Sequence, residues 1–204
     1  MGVSVSRSLA AGFSDPVFDS QSAFRRMMEA LANPGRIRPI AMSMSADVPL
    51  LPSAAAVVLA LCDFETPVGL SPHVAAMPGV AEFVRFHTGA PLVPELSRAA
   101  FAVVDLRHDD MDPASFAQGT AEYPDRSTTI IALCDSLETG AAHVIAGPGL
   151  DGTGALRVSP LPDSFAVRWA ANRVSFPLGV DIIFAAPGQI VGLPRSTRII
   201  GGAG

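Results

Sequence analysis

The stretch that decides the fold is residues 180–193, Val-Asp-Ile-Ile-Phe-Ala-Ala-Pro-Gly-Gln-Ile-Val-Gly-Leu. Two apolar runs, 180–185 and 189–193, are separated by the turn sequence Ala-Pro-Gly. Short apolar runs bounded by Pro and Gly predict two β-strands. Because no helix lies between them, we expect these two strands to be antiparallel.

Outward from this pair, strand-like and helix-like segments alternate along the chain. Further strands are predicted at residues 37–42, 68–70, 101–104, 128–133 and 142–146. Helices are predicted from a cap at Asp19 or Ser20 to Ala32, at 53–61, 80–86 and 113–117, and after Asp163. The interleaving predicts an α/β fold with a layered mixed sheet flanked by helices. We expect a single domain over residues 1–204, with flexible ends at 1–12 and 199–204.

Composition excludes several classes of protein. The 204 residues are 49% hydrophobic and 16% charged, with a mean hydropathy of +0.38, so some apolar surface is expected to be buried in a subunit interface. The net charge of −5 argues against a nucleic-acid partner. No run approaches the roughly 20 apolar residues that span a bilayer, and no signal peptide is evident, so we expect a cytoplasmic protein.

Missing residue types restrict the chemistry further. All 14 basic residues are arginines. Without lysine there is neither a Schiff base nor a P-loop. The two cysteines, Cys62 and Cys134, are too few for an iron–sulfur cluster, and no histidine spacing indicates zinc. The sequence therefore predicts no cofactor and no metal site.

A glycine motif, G-x-G-x-x-G, is present at Gly147, Gly149 and Gly152. Dinucleotide binding requires this motif to open a helix after a strand. Here a second strand-like run follows, so we predict a hairpin connection instead.

Asp181 is a carboxylate inside an apolar strand, and it needs a cationic partner there. Arg85 and Arg195 are the candidates. Arg195 follows the last strong strand and precedes Thr197, so it is equally suited to bind an anion or to pair with Asp181 or Asp63.

His87 and Thr88 lie beside a loop, where functional groups are common. His87 is a candidate for phosphate contact or proton transfer, with a structural histidine as the alternative. Arg25 and Arg26 lie beside the apolar face formed by Phe24, Met27, Met28 and Leu31; a solvated pair, a buried ion pair and an anion contact all remain open.

The segment Arg85-Phe86-His87-Thr88-Gly89-Ala90-Pro91-Leu92-Val93 carries a family resemblance that continues elsewhere in the chain. Matching motifs are found at residues 24–26, 33–35, 63, 66–68, 119–120, 147, 149, 176–181 and 194–197. In this order and spacing, over about residues 13–198, the sequence resembles PhnH, a subunit family of the bacterial phosphonate carbon–phosphorus lyase system.

The resemblance implies a fold similar to the large domain of pyridoxal-phosphate transferases, without the cofactor. It also implies a homodimer that joins PhnG-, PhnI- and PhnJ-like subunits. The implied function is non-catalytic support for forming ribose 1-phosphonate 5-triphosphate from ATP and an alkylphosphonate. Two alternatives remain: a stand-alone α/β enzyme that uses His87 with Arg85 and Arg195, and a binding module for a phosphonate or an ATP-derived ligand.

Overall fold

A seven-stranded mixed sheet forms the centre of the molecule in the computed structural model, which describes residues 11–40, 44 and 47–202. In spatial order its strands are β1 (Arg38–Pro39), β9 (Gln189–Leu193), β8 (Asp181–Ala186), β5 (Thr129–Leu133), β4 (Phe101–Asp105), β2 (Val68–Leu70) and β3 (Leu92–Val93). Strands β3, β2, β4, β5 and β8 run parallel, and β9 is antiparallel to both β8 and β1. The predicted α/β class with a mixed sheet is therefore confirmed.

The two strands predicted at residues 180–193 are β8 and β9, which form an antiparallel pair next to the parallel part of the sheet. Ile182 lies opposite Leu193, and Phe184 lies opposite Val191. On its other side β8 pairs in parallel with β5, where Ile183 faces Ile131. Both faces of β8 are covered by hydrophobic cores, which explains its nearly continuous hydrophobic sequence.

Among the described residues, five α-helices accompany the sheet: α1 (Pro16–Ala32), α2 (Pro52–Leu61), α3 (Pro72–Ala76), α4 (Val80–Thr88) and α5 (Phe165–Val174). The predicted start of α1 at Asp19 or Ser20 is wrong. Asp15 caps the helix by accepting hydrogen bonds from the backbone N–H groups of Val17 and Phe18, and Pro16 occupies the first turn.

Each face of the sheet carries its own hydrophobic core because side chains alternate along the strands. Ile183 and Ala185 of β8 point to the first core, which is completed by α1, α2, α3 and α4. Ile182 and Phe184 point to the second core, which includes Trp169 of α5. The molecule consequently has helices on one face and a mixture of helix and sheet on the other.

A second, three-stranded sheet has the order β10 (Arg198–Gly202), β6 (Ala142–Ala146) and β7 (Gly154–Arg157). Strands β6 and β7 are antiparallel, which confirms the hairpin predicted around the glycine motif. The segment predicted as a flexible tail after Arg198 instead forms β10, paired with β6.

Parts of the predicted termini and of the first predicted strand lie outside the described residues. Residues 1–10 and 203–204 lie outside the described residues, and so do residues 41–42 of the strand predicted at 37–42, of which β1 is the described part. Within the described ranges, no helix combines the length and apolar character needed to cross a bilayer.

Candidate functional site

The chain leaves strands β2 and β4 toward opposite faces of the sheet. After β2 it continues into α3 and α4, whose Val74 and Phe83 belong to the first core. After β4 it passes through Leu106 and Phe116, which belong to the second core. Because β2 and β4 are parallel neighbours whose connections leave on opposite faces, their carboxyl ends form a topological switch point of the sheet. Such topological switch points are where open α/β sheets usually bind ligands.

Asp105 ends β4 at this switch point, and its side chain is fully buried. Arg107 donates two hydrogen bonds to this carboxylate, from Nε to Oδ1 and from Nη2 to Oδ2, each 2.7 Å long. Burial acts to raise the pKa of Asp105, but the hydrogen bonds and charge of Arg107, with the His108 contact, outweigh it and hold the pKa below its ordinary value. Asp105 is therefore a carboxylate at neutral pH.

Two histidines from separate segments converge on the same carboxylate oxygen. His73 Nε2 lies 3.7 Å and His108 Nδ1 lies 3.3 Å from Asp105 Oδ2. Their rings stack with centroids 3.7 Å apart and an interplanar angle of 10°. We refer to His73, Asp105 and His108 as the His–Asp–His cluster.

Asp109 fixes the two segments of the cluster relative to each other. Its Oδ1 accepts a hydrogen bond from the backbone N–H of His73 at 3.2 Å, and its Oδ2 accepts one from the Ser71 hydroxyl at 2.5 Å. The turn after β4 is thereby tied to the turn after β2. The position of the cluster is thus set by the backbone as well as by the side chains.

Arg195 and Asp181 form the ion pair that the sequence predicted as one alternative. Arg195 Nε lies 3.2 and 3.1 Å from the two carboxylate oxygens, and the backbone N–H of Arg195 donates to Oδ1 at 2.7 Å. Nη1 donates to the carbonyls of Pro124 and Pro177, and Nη2 donates to Ser127 Oγ and Asp181. All N–H groups of the guanidinium are therefore engaged, and none is left for an anion.

Arg85, the other candidate partner of Asp181, is wrong for that position. It lies exposed on α4 and makes no ion pair within the described part of the chain. His87 packs against Phe83 and Phe86, with ring centroids 4.6 and 5.0 Å away. Thr88 donates to the carbonyl of Val84 and accepts from Ala90 N–H, which closes the end of the helix.

The four other predicted residues lie on separate parts of the chain, except that Arg25 and Arg26 are neighbours on α1. Asp63 accepts from Glu65 N–H and from the Thr66 hydroxyl, and this bond with Thr66 is the main reason that its pKa is lowered. Arg25 is exposed, whereas Arg26 pairs with Glu29 at 3.1 Å. Thr197 is buried, and its hydroxyl has no hydrogen-bond partner among the described residues.

Gly149 of the glycine motif lines a cleft of about 260 Å³ together with the end of α1. The walls come from residues 33–36 on one side and from 149–151 and 154–155 on the other. A Cβ on Gly149 would lie 2.1 Å from the carbonyl oxygen of Ala32, so this glycine permits the close approach of the loop to the helix. The motif thus joins α1 to the small sheet.

The sequence predicted a strand at residues 101–104, directly before Asp105, but it did not predict the His–Asp–His cluster. His73 and His108 are 35 positions apart, so no ligand spacing marks them. The available signal was positional: all three residues follow predicted strands, and parallel neighbours end at the same edge. That signal identifies the cluster only when the order of the strands in the sheet is known, and the sequence did not reveal this order.

The fold and this edge define a layered α/β protein with a polar cluster at its topological switch point. The chain belongs to the PhnH family: the family model described as "Bacterial phosphonate metabolism protein (PhnH)" matches residues 11–200. It is 37% identical over 190 residues to the "Alpha-D-ribose 1-methylphosphonate 5-triphosphate synthase subunit PhnH" of Rhizobium meliloti (strain 1021), covering 93% of this chain and 94% of the relative. It is 27% identical over 180 residues to the "Putative C-P lyase subunit protein HtxG" of Stutzerimonas stutzeri, covering 88% and 85%.

Proposed function

We propose that this chain is a non-catalytic subunit of a bacterial carbon–phosphorus lyase system, where it supports the synthesis of a ribose 1-phosphonate 5-triphosphate from ATP and an alkylphosphonate. It acts in the cytoplasm as a homodimer, together with PhnG-, PhnI- and PhnJ-like subunits. Its fold corresponds to the large domain of pyridoxal-phosphate transferases without the cofactor.

The observation that carries the proposal is the similarity to the Rhizobium meliloti synthase subunit over nearly the full length of both chains. A match over 93% of this chain extends far beyond any single motif, so it concerns the fold as a whole. The sequence itself contains no lysine and only two cysteines, both buried. This inventory fits a protein that assists chemistry performed by other subunits.

An apolar stripe on α1 supports assembly with other chains. Val17, Phe24 and Met28 are 62%, 49% and 52% exposed. Their spacing of seven and four residues places them on one side of the helix. The buried side of α1 instead uses Ala23, Met27 and Ala30. Large apolar side chains grouped on a free helix face are typical of subunit interfaces.

The alternative of a stand-alone α/β enzyme gains no support from the geometry. Arg195 lies at β8 with its guanidinium fully engaged. His87 lies on α4, which leads into β3, and three strands separate β3 from β8. At about 4.8 Å per strand spacing, β3 and β8 are roughly 19 Å apart along the sheet.

The test is co-purification of the chain with PhnG-, PhnI- and PhnJ-like subunits from the same organism, for the unmodified protein and for the double variant Phe24→Glu/Met28→Glu. We expect the unmodified protein to co-purify and the variant to lose partner subunits or the homodimer, because the charges would be buried at an interface. Val167→Glu/Val174→Glu, on exposed positions of α5, is the matched control and should assemble normally.

Activity of the chain alone tests the non-catalytic assignment. Purified protein should not convert ATP and methylphosphonate unless its partners are added. Turnover by the isolated chain would refute the proposal. His87→Ala should still support growth on phosphonate, and loss of growth with an intact complex would favour the enzyme hypothesis instead.

A further inference from the structure

We propose that His73, Asp105 and His108 bind one divalent transition-metal ion of the zinc type at the switch point of the sheet. The proposal does not depend on the function proposed above, since it follows from the donor atoms and their positions.

The donor atoms are already close to the separations that a metal requires. A tetrahedral ion with bonds of about 2.0–2.1 Å holds its ligand atoms about 3.3 Å apart. His108 Nδ1 and His73 Nε2 lie 3.3 and 3.7 Å from Asp105 Oδ2, and the three donor atoms all fall within 4.8 Å of one another. No donor separation therefore exceeds the tetrahedral value by more than about 1.5 Å.

The types of donor select the class of metal. Two imidazole nitrogens with one carboxylate oxygen suit zinc, cobalt and nickel, whereas magnesium and calcium prefer oxygen ligands alone. Three protein ligands leave a fourth position of a tetrahedral ion open for water. His73 and His108 are 39% and 50% exposed, so that position is reached from solvent.

The surroundings of the ligands resemble the outer shell of a metal site. Ligating carboxylates are held by further hydrogen bonds, and Arg107 holds Asp105 in this way. Oδ2 has two lone pairs, so it can accept the Arg107 hydrogen bond and still coordinate an ion. Asp109 holds the backbone of His73.

One movement is required on binding. The two rings are nearly parallel, and the lone pairs of parallel rings do not converge on one point. His108 is half exposed on the turn after β4, so its ring can tilt without displacing core residues. The charge of Arg107 opposes a cation, which predicts weaker binding than in a site surrounded by carboxylates.

The experiment uses the full chain, with any affinity tag removed and metal stripped by a chelator. Zn²⁺ binding is measured by calorimetry, and Co²⁺ binding by its visible absorption bands, which report coordination geometry. We expect one equivalent to bind and the melting temperature to rise with added Zn²⁺. His73→Ala and His108→Ala should each weaken binding by more than the roughly 10–100-fold loss seen when outer-shell partners are removed.

His87→Ala is the matched control, because it removes a histidine outside the cluster and should leave the affinity unchanged. Circular dichroism of each variant establishes that the fold is retained; His73 and His108 are partly exposed, so both substitutions should be tolerated. Absence of stoichiometric binding by the unmodified chain would overturn the proposal. Undiminished binding by His73→Ala/His108→Ala would also overturn it, because the ion would then lie elsewhere.

Discussion

Replacement of Arg195 by Met should destabilise the protein more than loss of any surface ion pair. The substitution keeps most of the aliphatic volume but removes every guanidinium hydrogen bond. Asp181 retains only the bond from the Arg195 backbone N–H, at 2.7 Å, and the acceptors on Pro124, Pro177 and Ser127 lose their donor.

The expected magnitude follows from the partial burial of the pair. Removing one partner of a fully buried ion pair costs about 3–5 kcal/mol. The side chains of Arg195 and Asp181 are 14% and 22% exposed, so water reaches part of the carboxylate and reduces the cost. We therefore expect a loss of about 2–4 kcal/mol. For a chain of this size, a loss of about 3 kcal/mol lowers Tm by about 6–12 °C.

Urea unfolding followed by circular dichroism measures the effect as a shift in the midpoint at constant slope. Asp181→Asn and the double variant Arg195→Met/Asp181→Asn complete a cycle, and the double loss should be smaller than the sum of the single losses. Asp110→Asn, which breaks the surface pair with Arg168, is the control and should have a much smaller effect. An Arg195→Met variant as stable as the unmodified protein would refute the reasoning.

Three further predictions concern packing, pH and thiol reactivity. Gly149→Ala should destabilise the fold far more than Gly152→Ala, measured by urea unfolding: both backbones have positive φ, but a Cβ meets the Ala32 carbonyl at 2.1 Å only in the first case. Burial lowers the pKa of His143, so the folded chain binds fewer protons than the unfolded chain. The free energy of unfolding should therefore fall as the pH decreases below about 6.5. In His143→Gln this part of the pH dependence should be absent. Burial raises the pKa of both Cys62 and Cys134 to about 12. A disulfide reagent at pH 8 should therefore label the native chain slowly and the urea-unfolded chain rapidly. Fast labelling of the native chain would contradict the burial of these thiols.

The parts of the fold that were predictable are those that local sequence determines. Residues 180–193 carry both their apolar character and their turn, so the β8–β9 pair could be recognised directly. The apolar run at residues 53–61 likewise identified α2. The N-terminus of α1 was missed because Asp15-Pro16 was not recognised as cap and first turn.

The face of α1 could not be predicted, because it depends on the distance between layers. Periodicity favoured Phe24, Met27, Met28 and Leu31 as the buried face. In the structure α1 lies so close to β9 that a Cβ on Gly192 would be 2.6 Å from the carbonyl oxygen of Ala30. Ala30 is small enough for this approach, and Met27 and Leu31 of the predicted face do pack against the first core, but the larger Phe24 and Met28 point outward. This same packing creates the apolar stripe on which the assembly proposal relies.

The two polar groups of the sheet differ in what remains available for binding. At the amino end of β8, Arg195 uses all its donors on the protein, so the site holds strand and loops together. At the carboxyl end of β4, Asp105 is also held by an arginine, yet two histidines reach its second oxygen from partly exposed positions. An ion pair that is complete within the protein stabilises it; a carboxylate with two adjacent imidazoles still has lone pairs to offer. We therefore assign a ligand to the carboxyl edge, because lone pairs of the carboxylate and the imidazoles are still available there. Arg195, in contrast, has no N–H group left to bind one.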